Sequence, residues 1–154
     1  MSKVVEKSIK INDTPEKVLG AFVEEEVLKE WWGVQVSLIE LKKGGIYTLT
    51  WDVTESGFRY ISTGIVASYI PHKKLVVENY LYLNPSLPII GPMRLEIEVS
   101  GGDSTLLTVR QSGEGEGADW DFYFEAINTA WPDVLKILKD FMEGNLKIIE
   151  HDFF

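Results

Sequence analysis

The sequence has 154 residues, the length of one ordinary domain. Its 15 Lys and Arg against 24 Asp and Glu leave a net charge of −9, which argues against nucleic acid and anionic membranes as partners, because both are negatively charged. With no cysteine, the chain excludes disulfides, thiolate metal ligands and a cysteine nucleophile. No stretch approaches the roughly 18 apolar residues of a membrane span, and residues 1–6 lack the apolar core of a secretion signal. We therefore expect one cytoplasmic domain over residues 1–154, with no membrane insertion.

The chain begins with a predicted strand and two short helices. Val4–Ile11 is rich in β-branched residues and predicts the strand. Thr14 can cap a helix that starts at Pro15, since proline has no amide hydrogen to leave unbonded there. Apolar residues then recur at helical spacing as far as the adjacent Trp31 and Trp32. Because neighbouring side chains cannot share one face, we expect one indole to point inward and the other to meet solvent or a loop.

From residue 34 to residue 111 the apolar period changes to two, which predicts strands separated by turns rich in glycine and proline. The short turns favour an antiparallel meander. The six predicted strands are Val34–Leu41, Ile46–Val53, Arg59–Ile70, Lys74–Leu83, Met93–Ser100 and Thr105–Gln111. The break at 84–92 is longer and contains three prolines, so it is either a functional loop or a loop folded back on its own sheet.

A long amphipathic helix is predicted over Asp119–Glu143. Its apolar stripe, at steps of three or four residues, consists of Trp120, Phe124, Ile127, Trp131, Leu135, Leu138 and Met142. We expect Asp119 to be its N-cap, and Pro132 to kink or loosen it near Asn128. The acidic glycine run at 113–117 predicts a flexible connector, because its carboxylates would repel a phosphate.

These elements predict an α+β fold. A single antiparallel sheet must cover its apolar face, and only the C-terminal helix is long enough to do so. We therefore predict a curved, seven-stranded antiparallel sheet around that helix, with the two short helices closing one end and a space left between sheet and helix. The core is expected over about residues 4–143. Residues 145–154 form a loosely held tail or an assembly contact in this interpretation.

Groups for catalysis or metal binding are scarce in the sequence. His72 in a turn and His151 in the tail are the only histidines, and both are expected to be exposed. No HExxH, GxSxG or Walker motif is present. The acidic run 24–26 is expected to be a solvated helix end, since a metal needs ligands converging from several elements. We predict no catalytic residue, no metal ion and no cofactor.

Large aromatic residues carry the strongest functional indication. Any one of them is expected to be a core residue, but as a set they come from three elements that the predicted topology places around one space, and ligand pockets are mostly apolar with a few polar groups. The predicted ligand-binding residues are Trp32, Leu49, Trp51, Ile61, Thr63, Asn79, Leu81, Met93, Leu95, Trp120, Phe124 and Asn128. The three polar members, Thr63, Asn79 and Asn128, are equally consistent with internal hydrogen bonding.

Four blocks of the sequence resemble a known family. They are Thr14-Pro15-Glu16-Lys17-Val18 leading to Trp31-Trp32, then Lys43-Gly44-Gly45 before an aromatic strand, then Gly64-Ile65-Val66 leading through Pro71 to Leu75-Val76-Val77, and Ser104-Thr105-Leu106-Leu107-Thr108-Val109 before a tryptophan-bearing helix. Over about residues 4–143 they resemble homologues of the activator of the ninety-kilodalton heat shock protein ATPase, within the START-like (SRPBCC, Bet v 1-like) superfamily. The resemblance implies the helix-grip fold and an internal hydrophobic cavity that, in many relatives, binds a small apolar molecule.

Three functions remain open from the sequence. The leading hypothesis is noncatalytic binding of a small hydrophobic or amphipathic molecule in a cavity between the sheet and the C-terminal helix. The alternative is a protein-interaction module, such as a chaperone cofactor in a stress response, which the acidic composition and the apolar segment 87–90 suggest. Its partner would be another protein or a second copy of the chain. The third is an enzyme of cyclase or dehydratase type. Its nearby polar candidates are Arg94, Glu96 and Arg110, of which strand alternation turns the first two outward.

Overall fold

Within the residues that the structure describes, seven strands and three helices follow one another in the predicted order. The computed structural model describes residues 2–55 and 57–144, apart from the side chains of Val53 and Phe58, so the predicted tail at 145–154 lies outside the described residues. The strands are β1 (Ser2–Ile11), β2 (Val36–Ile39), β3 (Ile46–Thr54), β4 (Gly57–Ile70), β5 (Lys74–Leu83), β6 (Met93–Gly101) and β7 (Thr105–Glu114). The helices are α1 (Pro15–Gly20), α2 (Glu25–Trp31) and α3 (Ala118–Met142).

The strands form one antiparallel sheet. Its order is β1-β7-β6-β5-β4-β3-β2, so each strand from β2 onward pairs with the next along the chain, and β7 returns to pair with β1. The short connections explain this order, because a turn of a few residues can join only antiparallel neighbours. The curved sheet holds α3 against one face. The predicted α+β fold with its long C-terminal helix is therefore confirmed.

Alternation along the strands decides which face is buried. In β3, Tyr47 and Leu49 point toward α3 and are buried, whereas Thr48 between them lies on the opposite, outer face. The inner face is completed by one apolar stripe of α3, whose buried side chains are Tyr123, Phe124, Ile127, Trp131, Val134, Leu135 and Leu138. The core therefore forms where the apolar face of the strands, with a period of two residues, packs against the apolar stripe of α3, with a period of 3.6 residues.

The two predicted helix caps have different outcomes. Thr14 caps α1 as predicted, since its Oγ1 accepts a hydrogen bond from the backbone N–H of Lys17 at 3.4 Å. Asp119 is not the N-cap of α3, because the helix begins one residue earlier, after Gly117. Asp119 lies in the first turn, where its carboxylate suits the positive end of the helix dipole. The helix continues through Pro132, whose side chain is exposed.

Trp31 and Trp32 both avoid solvent, so the solvent alternative of the prediction for one of them is wrong. Both indoles are buried, and they stack with their ring centres 4.8 Å apart. Phe22, which follows α1, packs edge-on against both rings at 5.4 and 5.9 Å. The segment with the two short helices therefore covers both indoles at this end of the core.

Candidate functional site

The space between the sheet and α3 is almost completely filled. It is lined by side chains from β3, β5, β7 and α3 and from the residue after α2, namely Trp32, Trp51, Tyr80, Tyr82, Gln111, Tyr123, Ile127 and Trp131. About 10 Å³ remains between them, which is room for about one water molecule. The predicted space is therefore present as an aromatic wall around a very small cavity.

Gln111 joins the sheet to the helix at the centre of this wall. Its Nε2 donates to Tyr123 Oη at 3.2 Å and to Met93 Sδ at 3.4 Å, and its Oε1 accepts from Trp131 Nε1 at 3.0 Å. The amide is buried, so these bonds replace those it would make with water. Gln111 thus holds two α3 side chains in place.

Tyrosine hydroxyls provide the other polar groups of the wall. Ser62 Oγ donates to Tyr80 Oη at 2.7 Å, and Asn84 Nδ2 donates to Tyr82 Oη at 3.5 Å. Burial raises the pKa of Tyr80 to about 12 and also raises the pKa of Tyr82 and Tyr123 well above the ordinary value. These hydroxyls therefore stay protonated near neutral pH and offer hydrogen bonds without acting as bases. The lining carries no ionised side chain.

Trp32 has a polar atom that the surrounding protein leaves unsatisfied. Its ring contacts Trp51 edge-on at 5.2 Å and Trp131 at 6.1 Å, so it lies at the centre of the aromatic cluster. Its Nε1 is buried and has no hydrogen-bond partner among the described residues. By contrast, the Nε1 of Trp51 donates to the Trp32 carbonyl oxygen at 2.9 Å. Leaving a buried N–H without a hydrogen bond costs about 1–3 kcal/mol. A group that places an acceptor beside Trp32 Nε1 would remove this cost.

The structure brings two of the twelve predicted ligand-binding residues to this cavity. Trp32 and Trp51 line it. Four others, Leu49, Met93, Leu95 and Phe124, are buried in the surrounding core without bordering it.

Ile61, Thr63 and Leu81 lie on the outer face of the sheet. Thr63 Oγ1 shares a hydrogen bond of 2.8 Å with Thr48 on that face, and Thr63 pairs with Leu81 on β5. Ile61 has the same orientation as Thr63, two residues along β4. The expectation that these three side chains face α3 is corrected by this register.

On β5, the backbone conformation of Asn79 explains why Leu81 faces outward. It adopts a left-handed backbone conformation with φ of 52° at a bulge, so the pairing with β6 passes from Val77–Leu95 to Tyr80–Met93. One extra residue reverses the alternation, and the exposed Asn79 leaves the inner face to Tyr80 and Tyr82.

Trp120 and Asn128 also lie away from the cavity. Trp120 packs over Gly113 and Gly115, where a Cβ would come within 2.8 and 2.1 Å of its ring, so these glycines are required by close contact. With Leu81, it borders an open groove of about 510 Å³ beside residues 89–91. Asn128 is exposed on α3. Two glycines of the run 113–117 therefore make room for the Trp120 indole, and the run also connects β7 to α3.

Six residues that line the cavity are absent from the predicted ligand-binding set, namely Tyr80, Tyr82, Gln111, Tyr123, Ile127 and Trp131, of which the last two were predicted only as part of the apolar stripe of the helix. A signal existed for Gln111, because it has the same strand parity as the buried Leu107 and Val109. For Tyr80 and Tyr82 the signal was weaker, namely an asparagine inside a strand, since asparagine tolerates the left-handed conformation and is rare in regular strands.

The polar candidates for an enzyme lie on the outer face. Arg94 contacts Glu78 at 2.6 Å and Glu96 at 2.8 Å, and Arg110 contacts Glu96 at 2.8 Å and also Glu6. Partial burial opposes ionisation of Glu96, but the hydrogen bond and charge of Arg94 and the charges of Lys74 and Arg110 outweigh it and lower its pKa. This ion-pair network faces away from the cavity.

Within residues 2–55 and 57–144, no group of three or more His, Asp or Glu side chains is placed to hold a metal ion. None of the helices described is both long and apolar enough to cross a membrane.

Comparison with known proteins identifies the family. Residues 12–143 match the family described as Activator of Hsp90 ATPase homolog 1-like protein. The chain belongs to this family. None of the curated proteins matches the sequence.

Solved structures share the fold at low identity. DynU16, from the dynemicin biosynthetic locus, superposes with a TM-score of 0.71 at 17% identity over 92% of this chain, which spans only 48% of DynU16. The Aha1 dimer from Colwellia psychrerythraea gives a TM-score of 0.62 at 20% identity, covering 92% of this chain and 96% of that one. CalU16 from Micromonospora echinospora gives 0.63 at 14%, covering 94% and 87%. Structural likeness at such low identity shows that these proteins share the START-like fold with this chain. It carries no activity over to this chain.

Proposed function

We propose that this protein binds a small, uncharged, mostly apolar molecule that carries a hydrogen-bond acceptor, held between the sheet and α3. The observation that carries the proposal is the unsatisfied Nε1 of Trp32 in an aromatic wall. A carbonyl, ether or hydroxyl oxygen of a ligand would accept from this N–H, while its apolar part would contact the rings of Trp51 and Trp131.

The charge of the ligand follows from the lining. The wall offers indoles, neutral tyrosine hydroxyls and one amide, and no ionised group to pair with a charge. Moving an unpaired ion into such surroundings costs several kcal/mol. A neutral molecule is therefore favoured over a fatty-acid anion or an amine.

The size of the cavity sets a condition on binding. Drug-sized ligands occupy about 300–1,000 Å³, whereas about 10 Å³ is open here. Binding therefore requires the aromatic side chains to move apart, and the lost contacts reduce the affinity. Segment 84–92 would move with the wall, because Asn84 connects it to Tyr82.

The experiment combines ligand discovery with matched variants. The purified protein is analysed by native mass spectrometry and screened by thermal shift against neutral aromatic ketones and phenols, sterols and fatty acids. We expect neutral acceptor-bearing compounds to raise the melting temperature. Trp32→Phe should weaken their binding by about tenfold, the equivalent of one hydrogen bond.

Trp31→Phe is the matched control, because Trp31 is also buried but its Nε1 already donates to the Ala21 carbonyl at 2.7 Å and it does not line the cavity. It should retain the binding. If no compound class binds, or if both variants lose affinity equally, the wall is an ordinary aromatic core with one unsatisfied indole.

A second candidate function is a protein-interaction module, as the family description suggests. The favouring observation is Ile89, which is 72% exposed in segment 84–92. The direct test is whether the purified protein raises the ATPase rate of a ninety-kilodalton heat shock protein. An unchanged rate contradicts this candidate.

A further inference from the structure

The two edges of the sheet are protected to different degrees. At one edge, β1 carries charged side chains at Lys3, Glu6, Lys7 and Lys10, which discourage pairing with another strand. At the other edge, β2 reads Val-Ser-Leu-Ile and has no charge, proline or glycine. Its only protection is that it is short. An uncharged edge strand is a template for pairing with another chain.

The outward backbone of β2 is available for that pairing. The N–H of Glu40 donates to the Ile46 carbonyl on β3 at 2.9 Å. Because bonded residues alternate along an antiparallel pair, Ser37 and Ile39 direct their N–H and C=O groups away from β3. In the described part of the chain, no strand pairs with β2 on that side.

An apolar patch on the outer face adjoins this edge. It consists of Val36 and Leu38 on β2, Ile46 on β3 and Ile65 on β4, which are between 36% and 55% exposed. The register places them on one face, since Val36 and Leu38 pair with Thr50 and Thr48, and Ile46 pairs with Ile65. Contiguous exposed apolar side chains of this kind mark contact surfaces.

We propose that β2 pairs antiparallel with β2 of a second copy of this chain, about a twofold axis at Leu38. Ser37 would then exchange backbone hydrogen bonds with Ile39 of the partner subunit, and the symmetry makes the same exchange a second time. Leu38 would face the partner's Leu38, and the two patches would become continuous on the outer face.

Electrostatics favours this edge as the place where two copies meet. The chain carries a net charge of −9, so two copies repel one another over most approaches. The charged residues just after β2 are Glu40, Lys42 and Lys43, with Glu40 and Lys42 4.0 Å apart. Antiparallel pairing about Leu38 places these residues of the two copies at opposite ends of the contact, so the edge joins two acidic molecules without setting like charges against each other.

The size of the contact predicts moderate affinity. A four-residue strand and four apolar side chains fall short of the roughly 800 Å² that each partner buries in a standard interface. We therefore expect a dimer that forms with rising concentration and dissociates on dilution.

A cysteine cross-link tests the geometry, because the chain has no cysteine of its own. Directly opposed residues in an antiparallel pair have Cβ atoms about 4.5–5.5 Å apart, near the separation in a disulfide. Under mild oxidation, Leu38→Cys should form a covalent dimer. Leu106→Cys is the matched control, since Leu106 is 49% exposed on β7 near the other edge, and it should stay monomeric.

Sedimentation velocity of the unmodified chain provides the second measurement. The apparent mass should rise from that of one chain toward that of two chains as the protein concentration increases. Leu38→Lys, which opposes two ammonium groups across the axis, should weaken association at least about tenfold, and Leu106→Lys should leave it unchanged. A monomer at all concentrations, or equal cross-linking of the two cysteine variants, overturns the proposal. A monomer whose β2 edge binds a different protein also overturns it.

Discussion

At the scale of single residues, the adjacent tryptophans have opposite hydrogen-bonding situations. Trp31 Nε1 donates to the Ala21 carbonyl, whereas Trp32 Nε1 is buried and has no partner in the part of the chain that the structure describes. The two rings stack and share Phe22 as a neighbour, so their surroundings are otherwise similar. Trp32 therefore combines ordinary core packing with an unused donor, the combination expected where a ligand completes a site.

We predict that Trp31→Phe destabilises the protein more than Trp32→Phe does, by about 1–2 kcal/mol. Both changes shrink an indole to a phenyl ring and keep an aromatic neighbour. Only Trp31→Phe also breaks a hydrogen bond and leaves the buried Ala21 carbonyl without its partner. Urea unfolding of the two variants without ligand measures the difference. The opposite order would mean that a bound water or ligand already satisfies Trp32 Nε1.

At the scale of elements, one bulge in β5 decides which side chains reach the cavity. The left-handed backbone at Asn79 inserts an extra residue, and Tyr80 and Tyr82 take the inner positions that regular alternation assigns to Asn79 and Leu81. The wall therefore depends on a local backbone conformation that few residue types adopt.

We predict that Asn79→Ala costs about 1 kcal/mol of stability and that Asn79→Gly is nearly neutral. Both remove the same exposed amide, so their difference isolates the backbone preference at φ of 52°, which glycine adopts freely and alanine resists. Thermal and urea unfolding of the pair give the value. Equal stabilities would show that the bulge relaxes at little cost, and the assignment of Tyr80 to the wall would need revision.

At the scale of the whole molecule, buried tyrosines connect stability to alkaline pH. Burial raises the pKa of Tyr47, Tyr80, Tyr82 and Tyr123 above the ordinary value of 10.0, to about 12 for Tyr80. Above pH 10 the unfolded chain loses these protons while the folded chain keeps them. Stability is therefore fully present below pH 10 and is lost as the pH rises toward the folded values.

We predict cooperative unfolding within about two pH units above pH 10. Each tyrosine with a raised pKa removes up to about 1.4 kcal/mol per pH unit, and four together exhaust the stability of an ordinary domain. Far-ultraviolet circular dichroism and the phenolate absorbance of these four tyrosines should change together. Tyr47→Phe should reduce the slope of stability against pH by about a quarter. Phenolate formation at all six tyrosines of the chain near pH 10, while the protein is still folded, would contradict the burial of these four hydroxyls.

Local sequence signals were sufficient for the architecture. Thr14 before Pro15, the turns rich in glycine and proline, and the change of apolar period from 3.6 to two each act over a few residues, and they predicted the element order, the antiparallel sheet and the covering helix. Four short blocks predicted the family that residues 12–143 match.

Only the tertiary structure decided the interior. Ile61 and Thr63 face outward because their β3 partners Thr50 and Thr48 do, and Leu81 faces outward because the bulge at Asn79 reverses the alternation of β5. The remaining space of about 10 Å³ depends on how side chains from four elements and Trp32 meet, and a small shift in any of them opens or fills it. The sequence by itself determined the elements and their order because those signals are local. The cavity, its unsatisfied donor and the uncovered edge came from the tertiary structure, because each arises between residues far apart in the chain.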